Sequence, residues 1–186
     1  MIGLRTSLAL AGAALLAAAA PQAQAADLVF TTTGNSSTNG THANSRMFSA
    51  TDGETTVNVR VTGWSLTTDD SSGRVYDSYL GAYSHGLGVT SGDENGSSNT
   101  HVVDNQNRFD FLIFQFDQDV ALNSVTTSPF SVGGSTDSDM PIGYGNTDLA
   151  WNSQPGLNNG TYADLNAFFD GGFTNVAGGS SASTRD

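Results

Sequence analysis

The stretch His85-Gly-Leu-Gly-Val-Thr-Ser-Gly-Asp-Glu-Asn-Gly-Ser-Ser-Asn-Thr-His-Val-Val-Asp-Asn-Gln-Asn-Arg-Phe-Asp-Phe-Leu-Ile-Phe-Gln-Phe-Asp-Gln-Asp-Val120 decides the reading of this chain. Its second half contains Phe109 to Phe116, the densest apolar run outside the N-terminus, with four Phe, one Leu and one Ile in eight residues. Such a run predicts a strand buried on both faces at the centre of the core. Each of its large apolar side chains stabilises by roughly 1.5–3 kcal/mol when fully buried. Before it lie a small-residue segment, Gly86-Leu87-Gly88-Val89, read as a turn, and an acidic polar loop, Asp93-Glu94-Asn95-Gly96.

Working outward toward the N-terminus, Thr55 to Leu66 reads as a strand. Val57, Val59 and Val61 alternate with Asn58, Arg60 and Thr62, which predicts one buried face. Trp64 and Leu66 then occupy the other phase, and a glycine bulge at Gly63 would account for the flip. Arg74 to Tyr83 reads as one further strand after the turn at Asp69-Asp70-Ser71-Ser72-Gly73. Leu28-Val29-Phe30 is a short candidate strand, and Thr31 to Ser45 is loop-like.

Toward the C-terminus, Asp117-Gln118-Asp119 marks a bend. Val120, Leu122 and Val125 suggest a strand, Pro129 to Val132 another, and Ile142 to Trp151 a third beyond the loop Gly133 to Asp139. Leu157 to Gly160 is a turn. Tyr162 to Phe169 predicts a short helix with Leu165, Phe168 and Phe169 inward. Residues 170–186 are Gly/Ser-rich and expected to be loose. Short strands separated by frequent turns predict an all-β single domain, a β-sandwich or jelly roll spanning 26–170.

The first 25 residues have the pattern of a cleaved export leader: Arg5, an Ala/Leu-rich run from Leu8 to Ala20, and Ala23-Gln24-Ala25 before the expected cut at Ala26. The apolar run is shorter than the roughly 20 residues that span a bilayer. Cleavage leaves 161 of the 186 residues and, with Arg5 removed, takes the formal net charge from −12 to −13. The chain has no Lys. Such a surplus disfavours nucleic acid and anionic membranes as partners. Cys is absent, and a domain of this size can form a core without disulfides.

Three features together resemble the N-terminal domain of exported bacterial proteins of the PEP-CTERM, exosortase-sorted class. They are Ser78-Tyr79-Leu80-Gly81 leading to His85-Gly86-Leu87-Gly88-Val89-Thr90, then His101-Val102-Val103-Asp104-Asn105 before Arg108 to Phe116, and the pair Asp137 and Asp139. The resemblance covers roughly residues 55–150. It implies a β-sandwich protein, secreted or on the cell surface of a Gram-negative type of bacterium and associated with exopolysaccharide. It assigns no defined enzymatic activity. Such proteins end in a Pro-Glu-Pro motif, an apolar helix and a basic tail. The sequence here ends Ser183-Thr184-Arg185-Asp186, so the expectation is a truncated or a released form.

The motifs of catalysis are thin. There is no Cys and no G-x-S-x-G elbow, and His85 and His101 sit among Ser and Asp residues without a defined partner set. Zinc on His85, His101 and Asp104 matches no strong ligand spacing. Acidic pairs such as Asp117 with Asp119 leave a glycan hydrolase as the lowest-ranked reading. Calcium is the better ionic expectation, with oxygen ligands from Asp69, Asp70, Asp93, Glu94, Asn95, Asp137 and Asp139. Against it stands the reading of these as turn residues, which is preferred. The structural motif is expected to comprise Gly86, Gly88, His101, Asp104 and Asn105, the last two capping the entry to the buried strand. The main functional rival to a non-enzymatic matrix protein is a carbohydrate-binding module. Its aromatic platforms would come from Trp64, Tyr83, Tyr144 and Trp151, with Tyr76 and Tyr79 as further candidates. Only exposure separates a platform from a core aromatic.

Overall fold

A computed structural model describes residues 27–34, 43–67, 72–94, 101–103, 107–126, 130–132, 135–137 and 142–176. The fold is all-β. Its centre is not the Phe-rich run but the strand before it. Strand β1 (Ser45–Thr51) pairs antiparallel with β2 (Thr56–Leu66), with Ser45 opposite Thr62 and Thr51 opposite Thr56. Further along the same edge of β2, β3 (Val75–Asp77) takes over, Trp64 facing Asp77. The Phe-rich strand lies on the opposite edge and has the expected bounds, Phe109–Phe116. It is numbered β6 and pairs with β2 from Val59 opposite Phe116 to Leu66 opposite Phe109.

That ladder is continuous, so the expected bulge at Gly63 does not exist. Trp64 and Leu66 belong to the face that Asn58 and Arg60 began. From Val59 to Leu66 every residue of β2 is buried, because both faces are covered. The second correction concerns β6. It is only partly buried, and Phe114 is 44% exposed. A run of Phe fits an outer strand that offers one side of each ring, whereas the two-sided strand needs the smaller Val, Thr, Gly and Ser of β2.

One face of β2 is covered by a hairpin of β4 (Tyr79–Tyr83) and β5 (Gly86–Thr90). Two expectations fail here. Gly86 to Val89 is a strand rather than a turn; the turn is Ser84-His85, and Gly86 leaves it at φ +131°. Arg74 to Tyr83 is two strands that part at Ser78. There the chain leaves β2 and folds over it. Ser78 N donates to the Gly63 carbonyl at 3.2 Å, and Ser78 Oγ donates to Ser65 Oγ at 2.8 Å. Only small side chains permit this crossing. A β-carbon on Gly63 would lie 3.1 Å from the Ser78 carbonyl oxygen and 3.2 Å from Leu80 Cβ. Phe48, Val59, Val61, Leu80 and Val89 form the core between hairpin and sheet. Arg46 Nε donates to the Leu80 carbonyl at 2.7 Å, tying β1 to the hairpin.

The other face is covered by the segment from Trp151 to helix α1 (Tyr162–Ala167). Trp64, Leu66, Val75, Ile113 and Leu157 form the core there, with Leu165 and Phe168 of the helical segment packed against them. The helix starts with a capping box in which Thr161 and Asp164 satisfy each other's backbone N–H. Asn159 N donates to the Val75 carbonyl at 2.8 Å and Val75 N to the Gly160 carbonyl at 2.9 Å, so this segment is laced to the free edge of β3.

Two short ribbons complete the described chain. β7 (Phe130–Val132), where a strand was expected, pairs with β8 (Ser135–Asp137), which falls in the expected loop. β9 (Ile142–Asn146) pairs with β10 (Asp170–Val176), so residues 170–176, expected to be loose, are a strand. Leu28 to Phe30 and the Val120 to Val125 segment form no strand. Asn123 Nδ2 donates to Asp27 Oδ1 at 2.8 Å between them. No helix among the described residues is long and apolar enough to cross a membrane.

Candidate functional site

Along β1 lies a cleft of about 390 Å³. Met47, Phe48 and Ser49 of β1 and Asn58 of β2 line it; Met47, Ser49 and Asn58 share the face of Arg60, whereas Phe48 belongs to the core under the hairpin. Thr31, Thr33, Gly34 and Trp151 complete the lining. Asn58 is fixed from behind: its backbone N and its Nδ2 donate to the two carboxylate oxygens of Asp117, at 3.0 and 2.6 Å.

Trp151 is held by a residue the sequence reading passed over. Arg60, at a polar alternate position of β2, is 4% exposed. Its Nη1 donates to the Asn152 carbonyl and its Nη2 to Gln154 Oε1, both at 2.7 Å. Gln154 Nε2 in turn donates to Asn44 Oδ1 at 2.8 Å. The turn that carries Trp151 is thus pinned to the sheet by a charged, planar donor. Burial holds the Arg60 guanidinium below its ordinary pKa.

The other expected platforms are placed differently. Trp64 is a core residue, 2% exposed, and its Nε1 donates to Thr62 Oγ1 at 2.8 Å, so it is no platform. The flat glycine-containing strand that suggested a bulge instead buries it. Tyr83 lies half-buried on the outer side of the hairpin, on the opposite side of the sheet from Trp151. Its ring covers Gly81, where a β-carbon would collide with it, and it packs against His101 with ring centres 5.3 Å apart. Burial raises its phenol above the ordinary value, with Tyr79 adding to the effect. His101 Nδ1 shares a 2.7 Å hydrogen bond with Thr90 Oγ1, and its carbonyl stands where a β-carbon on Gly88 would be. Gly88 and His101 therefore meet on the hairpin's outer surface, whereas Gly86 has open space where a β-carbon would go. Tyr76 is capped by the Arg108 guanidinium, 4.7 Å from its ring centre. Tyr144, 63% exposed, stands on β9.

The acidic candidates are engaged locally. Asp93 pairs with Arg108 Nε at 2.5 Å, which holds its carboxyl below the usual range. Glu94 Oε2 accepts from Ser91 N at 2.7 Å and closes the turn after β5. Asp137 lies on β8. Asp69, Asp70, Asn95, Asp104, Asn105 and Asp139 fall outside the described residues. Among the described residues no group of three or more His, Asp or Glu side chains is placed to hold a metal ion. His85 shares a 3.0 Å hydrogen bond with Ser84 and is not brought to His101 by any described contact.

Comparison with protein-family models, with curated proteins and with solved structures finds no match to this chain.

Proposed function

We propose that this protein is an exported, non-enzymatic component of a bacterial surface or extracellular matrix, and that it binds exopolysaccharide through the Trp151 cleft. The observation that carries the reading is the composition of that cleft. Trp151, with Phe48 and Met47, shares the lining with the short polar side chains Thr31, Thr33, Ser49 and Asn58. A sugar ring needs this combination: an apolar plate for its C–H face and short polar side chains for its hydroxyls. Trp151 can serve as a plate because Arg60 fixes the turn beneath it, so little ordering is left to be done on binding. The described residues lining the cleft include no Asp, Glu or His, the groups that proton transfer to a glycosidic oxygen requires. That composition favours binding over hydrolysis. The leader-like N-terminus supports export.

The test is affinity electrophoresis of the protein through gels containing a panel of soluble bacterial polysaccharides. At least one should retard the wild type, and Trp151→Ala should weaken that retardation on the order of tenfold or more. Retardation that survives Trp151→Ala unchanged, or none with any member of the panel, rules the reading out.

A further inference from the structure

One rung inward from the Trp151 cleft, the sheet carries a buried polar layer that is short of acceptors. Arg60 donates only to neutral oxygens, those of Asn152 and Gln154, and its Nε has no partner. Directly across the β2–β6 ladder stands Gln115, 5% exposed, with neither end of its carboxamide hydrogen-bonded. Asn44 Nδ2 is unpaired as well. Among these described residues the unpaired groups are three N–H donors and one amide oxygen. A buried guanidinium with only neutral partners is an unfavourable state that a counter-charge relieves. The contrast lies within the same chain: Arg108, nearer the surface, has Asp93, whereas no described carboxylate hydrogen-bonds Arg60.

The layer adjoins the cleft. Met47 is the partner of Arg60 across the β1–β2 ladder, Asn58 is two residues earlier on the same face of β2, and both line the cleft. We infer that this layer seats a carboxylate, and that the polysaccharide bound at Trp151 is an acidic one whose uronic-acid group reaches Arg60 and Gln115. The inference rests on the reading of the cleft as a glycan site. A carboxylate brings what the layer lacks: a negative charge and two acceptor oxygens with about four lone-pair directions. The protein's net charge of −12 repels a polyanion at long range, while the inner contact is shielded from salt. Affinity for an acidic chain should therefore hold or rise as salt is raised.

Isothermal titration of the full chain with three probes tests this: an oligouronide, the same oligomer with its carboxyls reduced to hydroxymethyl groups, and acetate. The oligouronide should bind at least tenfold more tightly than the reduced oligomer. Gln115→Met, which removes a side chain that makes no hydrogen bond to the turn carrying Trp151, should abolish that preference while the thermal midpoint stays level or rises. Loss of an unpaired buried amide does not destabilise, whereas loss of a water-bridged one does. Equal affinity for both oligomers, lost in Trp151→Ala, overturns the carboxylate seat and keeps the glycan reading. Binding of acetate alone, lost in Gln115→Met, keeps the seat and overturns the glycan reading. A lowered midpoint in Gln115→Met with unchanged oligouronide affinity shows that water completes the layer and overturns the inference, as does the failure of all three probes to bind.

Discussion

At the scale of single residues, Gly63 shows how one position can be misread and why. A glycine between an alternating Val pattern and a Trp suggests a bulge. The strand runs straight through it, and the glycine is needed for what lies above. The chain crosses over β2 at Ser78, close enough that a methyl group at Gly63 would press on a carbonyl oxygen and on Leu80. Gly63→Ala is expected to destabilise by about 1–3 kcal/mol, the usual range for forcing volume into a packed contact. Gly53, also in the β1–β2 region, has open space where a methyl group would go but sits at φ +102°, so it tests backbone strain instead. Chemical denaturation of Gly63→Ala checks the first point. A midpoint equal to wild type would mean that the hairpin can lift off the sheet freely. Arg60 is the second residue misread. In an alternating strand it takes the polar phase, which predicts solvent. It is buried because a segment 94 residues away in sequence covers that face, a fact no local pattern carries.

At the scale of elements, β2, β6 and α1 were legible because each has a strong local signal: valine alternation, phenylalanine density, and the spacing of inward Leu165 and Phe168. β1 was not legible. Its buried phase is Arg46, Phe48 and Ala50, and an arginine in that phase breaks the apolar pattern. β5 was not legible either, since Gly-Leu-Gly-Val has the composition of a turn; Gly88 is required by the Tyr83 ring and the His101 carbonyl lying on it, and Gly86 by its φ of +131°. Of the candidate site, Trp151 was visible from residue type and Arg60 was not. The helix offers a sharp test. Its six residues are too few to be stable alone, so the cap matters. Thr161→Ala should cost about 1 kcal/mol. The backbone N–H of Thr161, with its hydroxyl, holds the Asp164 carboxyl below its ordinary value. A carboxyl depressed in the folded state stabilises above its unfolded pKa, and that contribution is lost as pH falls through the lower folded value. Wild type should therefore lose helix-segment stability on acidification below about pH 4. Asp164→Asn should flatten that dependence. Thermal melts from neutral pH down through the carboxylate range decide it; identical acid profiles for wild type and Asp164→Asn would remove the cap from the account.

At the scale of the whole molecule, one strand carries three pairings and two cores. β2 meets β1 and β3 along one edge and β6 along the other, with the hairpin on one face and the Trp151 segment on the opposite one. The order in which these arrive is a kinetic matter. The β1–β2 ribbon closes locally, through the short turn between Thr51 and Thr56. The β6 ladder must close a much longer loop: Asn58 and Asp117, which clasp at its end, are 59 residues apart. Arg60 then waits for Gln154. Closing long loops before any reward from contact slows folding, and β topologies of this kind reach the native state in milliseconds to seconds. The chain has two tryptophans, so Trp151→Phe leaves Trp64 as sole reporter of the moment both layers have docked. Stopped-flow refolding should show its emission changing only in that slow range. A sub-millisecond change to native emission would mean that β2 is enclosed before its distant partners return. Until they do, an eight-residue strand with an exposed phenylalanine stands without its long-range partner, and that interval is when the chain is most open to pairing with its neighbours instead of with itself.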